Sequence, residues 1–83
     1  RIEDRNPQDL AAKAAVHIRA GEGAEAVRWA TLAARRRSRR ARYQVLLGDA
    51  QRVAGDQAAA RRAYQRALEL DPDDRTARAR LGR

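Results

Sequence analysis

Cysteine, phenylalanine and methionine are absent from this 83-residue chain, and tryptophan occurs once, at Trp29. Without cysteine there are no disulfides and no thiolate metal sites, and the redox compartment is left open. No run approaches the roughly 18 apolar residues that a membrane span needs, and no apolar signal-peptide core is found. The chain therefore reads as soluble, with the cytoplasm as its expected compartment. Its start at Arg1, without a methionine, reads as a segment of a longer protein. Bulky core formers are scarce, because much of the 43% hydrophobic content is alanine. A domain of this size buries only about 60 to 65% of its unfolded surface, which argues against a large catalytic core.

What is present in excess is arginine. The net charge is +8, and Lys13 is the only lysine. Such a charge raises the question of nucleic acid or an anionic membrane. The joint excess of Arg and Ala has a second source in the codon bias of a GC-rich, bacterial-type genome, so charge alone is weak support for either partner.

An internal period organises the chain. Offset by 34 positions, Ala20 falls on Ala54, Gly21 on Gly55, Ala24 on Ala58, Ala26 on Ala60, Arg28 on Arg62 and Ala33 on Ala67. The same offset lays Leu47-Gly48 on Leu81-Gly82. The punctuation agrees. Asn6-Pro7 predicts a helix over 7–20 with Asn6 as cap, closed at Gly21-Glu22-Gly23. A second helix over 24–36 carries the stripe Ala26, Val27, Ala30 and Ala33 or Ala34, then fades into an arginine-rich stretch over 35–42. A third, over 41–54, has a broad apolar face of Val45, Leu46, Leu47, Ala50, Val53 and Ala54. Asp56 caps a fourth over 57–70, striped by Ala60, Ala63, Tyr64, Ala67 and Leu68, which stops before Pro72. Asp73 or Asp74 caps a last helix through 77–81. No segment alternates with a period of two, so an all-α chain of about five helices without strands is predicted.

At residues 41–74 the sequence resembles the tetratricopeptide repeat family through Leu47-Gly48, Gly55, Ala60, Tyr64, Ala67 and Asp71-Pro72. Gln44 and Gln51 depart from that pattern, standing where a large residue and an aromatic are usual. Residues 7–40 share the period and helix layout, with Leu10, Gly21, Ala26 and Ala33, but Lys13-Ala14 replaces Leu-Gly and Ser38 the proline. Residues 75–83 show only Leu81-Gly82. The resemblance implies one domain over 1–83, built as antiparallel helix-turn-helix hairpins stacked in a right-handed solenoid: two repeats and the start of a third. Gly48 and Ala60 are then small because paired helices cross closely, with Tyr64 and Leu47 filling the gap to the next hairpin.

The resemblance also implies a protein-interaction scaffold rather than an enzyme, with ligands in a concave groove lined by the first helix of each hairpin. The groove positions fall at Gln8, Ala11, Ala12, Ala15, Ile18 and Arg19 in the first unit. In the second they are Arg42, Val45, Leu46, Asp49, Arg52 and Val53, and in the third Thr76, Ala79, Arg80 and Arg83. The lysine and asparagine clamp that some members use for a C-terminal carboxylate is missing: Ala11, Ala15 and Leu46 take its places, and only Arg80 matches in type. An apolar floor with arginine edges suits an amphipathic or acidic peptide.

The other chemistry-bearing residues read as structural. His17 stands where the family places a packed aromatic, and Ser38, Thr31 and Thr76 have no activating partner at a suitable spacing. Asp71, Asp73 and Asp74 lack the spacing of a calcium loop and fit helix capping. No cofactor or metal is expected. The arginine stretch over 35–42 reads as a solvated helix end or as a dock for an acidic partner, nucleic acid or lipid phosphate. Two other functions stand beside the scaffold: a basic module for nucleic acid or anionic membrane, and a structural or oligomerisation segment that self-associates.

Overall fold

Pro7 opens the first helix, since its fixed φ suits that position and its missing N–H is one the helix leaves unbonded anyway. In the computed structural model, which describes residues 5–83, α1 spans Pro7–Arg19 and α2 Gly23–Arg36. They are followed by α3 Ala41–Val53, α4 Gln57–Leu70 and α5 Arg75–Arg80, with no strand among the described residues. Three starts are capped by side chains. Asn6 Oδ1 accepts from the Asp9 N–H at 2.9 Å, Asp56 from Ala59 at 3.0 Å and Asp74 from Ala77 at 2.9 Å. Asp74 is thus the cap of α5, while Asp71 accepts the Asp73 N–H at 3.1 Å in the preceding turn.

Three helices end in the same way. Gly21, Gly55 and Gly82 have φ of 75°, 90° and 74°. Each glycine N–H bonds a carbonyl three residues back, and the next N–H reaches five back: Glu22 to His17, Asp56 to Gln51, Arg83 to Arg78. That double bond pattern satisfies the otherwise orphaned carbonyls of a helix end. It also separates two glycines that the period superimposed. Gly48 is helical inside α3, whereas Gly82 closes α5 after six residues.

α1 and α2 form one antiparallel hairpin and α3 and α4 another, with α2 packed on α3 and α5 returning to α4. The core divides accordingly. Leu10, Ala11, Ala14, Ala26, Trp29, Ala30, Ala33 and Ala34 join Tyr43 and Ala50 of α3 in one cluster. Val45, also of α3, joins Ala60, Tyr64, Ala67 and Ala77 in the second, with Leu68 and Leu81 against it. α3 is therefore wedged between both clusters, and neither hairpin buries its apolar face alone. Leu47, expected to fill the gap towards the following hairpin, packs instead on the first cluster, against the preceding one.

Alanine contributes little area, so the three aromatics carry much of the packing. Trp29, absent from the expected α2 stripe, is 7% exposed. Arg5, Lys13 and Arg28 hold cationic groups 5.6, 5.4 and 5.6 Å from its ring centroid, within cation–π range. Tyr43, likewise missing from the expected α3 face, is fully enclosed, with Arg40 and Arg42 over its ring.

Candidate partner-binding groove

α1 and α3 lie side by side on one surface, and the shallow space between them is floored by small side chains. A hollow of about 250 Å³ is lined by Gln8, Ala11, Ala12 and Ala15 of α1 and by Arg42, Tyr43 and Leu46 of α3. Alanine at three α1 positions leaves the space open. Leu46, half-buried, supplies the apolar contact, and the exposed Gln8 and Arg42 add polar edges.

Further along α3, a second group converges on one carboxylate. The Tyr64 hydroxyl of α4 donates to Asp49 Oδ1, Arg80 Nε of α5 donates to the same oxygen at 3.0 Å, and Arg52 Nη2 stands 3.8 Å from it. Asp49 thus ties three helices together. Burial, and then the bond to Asp49, pushes the Tyr64 phenol above its ordinary value. The same carboxylate raises Arg80, which keeps its charge throughout.

The groove positions named from sequence divide between these surroundings. Gln8, Ala11, Ala12, Ala15, Arg42 and Leu46 meet in the hollow. Asp49, Arg52 and Arg80 meet at the carboxylate, where Asp49 is occupied by internal bonds rather than presented outward. Val45 is 7% exposed and sits in the core against the α4 side, so it has almost no surface to offer a ligand. Ile18 is half-buried against the first core cluster, Val53 is half-buried, and Arg19 lies exposed in the last turn of α1. Ala79 and Arg83 line a broad depression on α5 with Arg75 and Arg78, and Thr76 is exposed nearby. Among the motif positions, Gly48, Ala60, Tyr64 and Ala67 are buried, Gly55 closes α3, and Pro72 is exposed.

His17 is half-buried and its Nδ1 lies 2.8 Å from Glu22 Oε1, across the turn that ends α1. Among the described residues, no group of three or more His, Asp or Glu could hold a metal ion, and no helix is long and apolar enough to cross a membrane.

Sequence reasoning missed the convergence on Asp49 and the approach of α2 to α3 at Gly23. A Cβ on Gly23 would stand 2.4 Å from Ala54 Cα. The signal for Gly23 is faint, because a glycine beside a turn is as well explained by the turn as by a close helix approach.

The architecture is that of paired antiparallel helices stacked side by side, the layout of helical-hairpin interaction proteins. Residues 41–74, α3 with α4, match the tetratricopeptide repeat family. No curated protein and no solved structure matches the chain. Such repeats are typically non-catalytic, and the general function this match supports is protein–protein interaction.

Proposed function

We propose that the chain is a scaffold module of a larger protein that binds an acidic, amphipathic partner peptide in the hollow between α1 and α3. In this reading 7–40 and 41–74 are successive repeats and 75–83 begins a third, so α1 and α3 are equivalent first helices and the space between them is the concave face. The observation that carries it is the hollow itself: an alanine floor, Leu46 for an apolar anchor, and Arg42 at the rim. Charge complementarity selects the occupant, since the chain carries +8.

The test is a titration of the ¹⁵N-labelled protein with a short helical peptide of alternating Leu and Glu faces. Shift changes should concentrate on Gln8, Ala12, Ala15, Arg42 and Leu46, and Leu46→Glu should weaken binding about tenfold or more, the effect of placing like charge and lost apolar contact at an anchor. Shift changes confined to 35–42, reproduced by any oligonucleotide and lost steeply with salt, would instead identify a polyanion module. Concentration-dependent changes without peptide would identify a self-associating segment.

A further inference from the structure

Between Glu25 and Asp49 the sequence holds no acidic residue, yet 35–42 contains six arginines. In the structure these surround the turn from α2 to α3. Two of them, Arg37 and Arg40, line a second hollow of about 230 Å³ with Asn6, Pro7, Gln8 and Tyr43. Among the described residues, no carboxylate comes within ion-pairing distance of either. Arg37 spends one nitrogen on the Arg36 carbonyl, at 3.1 Å, which leaves the rest of its donor fork unused by that bond. Arg40 lies 5.8 Å over the Tyr43 ring.

Arg37 caps the C-terminal end of α2, where a cation is favourable, but at the start of α3 stability would favour the opposite charge. The first turn of α3 has no acidic residue and no side-chain cap, and it carries Arg42 two residues after Arg40, which holds the N-cap position. Cations at the positive pole of a helix are unfavourable, and neighbouring like charges add to the cost. The site therefore stands to gain from an anion bearing more than one charge.

The arginine hollow adjoins the peptide hollow, because Gln8 and Tyr43 line both. A single extended ligand can occupy the two together. We infer that the partner peptide carries a phosphorylated side chain, seated between Arg37 and Arg40 while its apolar neighbour occupies the hollow at Leu46. This deepens the groove reading above and rests on it. A phosphate monoester brings about −1.5 to −2 charges and three acceptor oxygens, which two guanidinium forks can engage in bidentate fashion; one carboxylate would neutralise only one of them. No exposed aromatic adjoins the arginines to stack a base, since Tyr43 is enclosed.

The experiment uses two synthetic peptides of the same Leu/Glu sequence, one with a phosphoserine at the end expected to lie over the α2–α3 turn and one with serine there. Binding to the intact chain is measured by fluorescence anisotropy at physiological salt. The phosphopeptide should bind about tenfold tighter or more, as one to three new charge-assisted bonds require. Arg37→Gln with Arg40→Gln should bring it down to the affinity of the serine peptide, circular dichroism showing the fold intact. Equal affinity of the two peptides, with both sensitive to Leu46→Glu, overturns the phosphate site and leaves the groove standing. A phosphate preference that survives the double substitution overturns the assignment to these arginines, as does stronger binding by a single-stranded oligonucleotide of equal charge. Failure of both peptides to bind removes the groove reading and this inference with it.

Discussion

Gly48 of α3 lies so close to Tyr64 of α4 that a Cβ on it would meet the ring at 2.5 Å. The ring has little freedom to yield: Tyr64 is 2% exposed and its hydroxyl is bonded to Asp49. Gly48→Ala should therefore destabilise by about 1 to 3 kcal/mol through overpacking, although alanine is the better helix former by about 1 kcal/mol. Urea unfolding measures it; a gain in stability would show that the ring moves aside freely.

Gly23→Ala meets a harder obstacle, because the clash is with the backbone Cα and N of Ala54 as well as with its Cβ. The start of α2 or the end of α3 must shift. A loss of about 1 to 3 kcal/mol is expected, with a fall in Tm of several degrees. Pairing it with Ala54→Gly should recover part of the loss if only the Ala54 Cβ contact matters, and little if the backbone is what obstructs.

The shared carboxylate predicts coupling among three helices. Asp49→Ala leaves the buried Tyr64 hydroxyl unpaired and should lower stability by about 1 to 3 kcal/mol. Tyr64→Phe removes one bond and should remove about 1 kcal/mol. Arg80→Gln alone should do little, since the arginine is exposed and screened. The distinguishing readout is amide exchange in α5: both Asp49→Ala and Arg80→Gln should speed exchange at Leu81, while Gly48→Ala should affect α3 and α4 more.

Alkaline titration carries a sign. Tyr64 is raised above its ordinary value of about 10, so the folded chain keeps a proton that the unfolded chain has released. Its contribution to stability is complete below pH 10 and is lost as pH rises through the ordinary and then the raised value. Unfolding free energies measured from about pH 9 to pH 11 should fall more steeply for the native chain than for Tyr64→Phe. Parallel slopes would mean that the phenol titrates alike in both states.

Much of the helical layout was legible because its signals are local. Asn6-Pro7, Gly21, Gly55 and Asp56 each act within one turn, and α4 begins and ends where its cap and the following proline require. Trp29 was legible but overlooked: with Ala26, Ala30 and Ala33 it completes a helical stripe. Tyr43 likewise precedes Leu46, Leu47 and Ala50 at helical spacing. Gly82 misled because a 34-residue coincidence of letters does not specify φ, and the same residue type serves either close packing or chain reversal. The groove was partly legible. Residues of α1 could be assigned by helical phase, but Val45 and Asp49 point to partners on α4 and α5 that no local pattern announces.

The sharing of one Asp49 oxygen by Tyr64 and Arg80 also bears on how this sequence can drift over time. Position 49 is constrained from two sides at once, for a replacement without an acceptor oxygen strands a phenol in one helix and releases a guanidinium in another. A lineage that abandons the aspartate therefore changes the surroundings of residues up to 31 positions away, and an array extended beyond Arg83 would inherit the altered setting of its next hairpin.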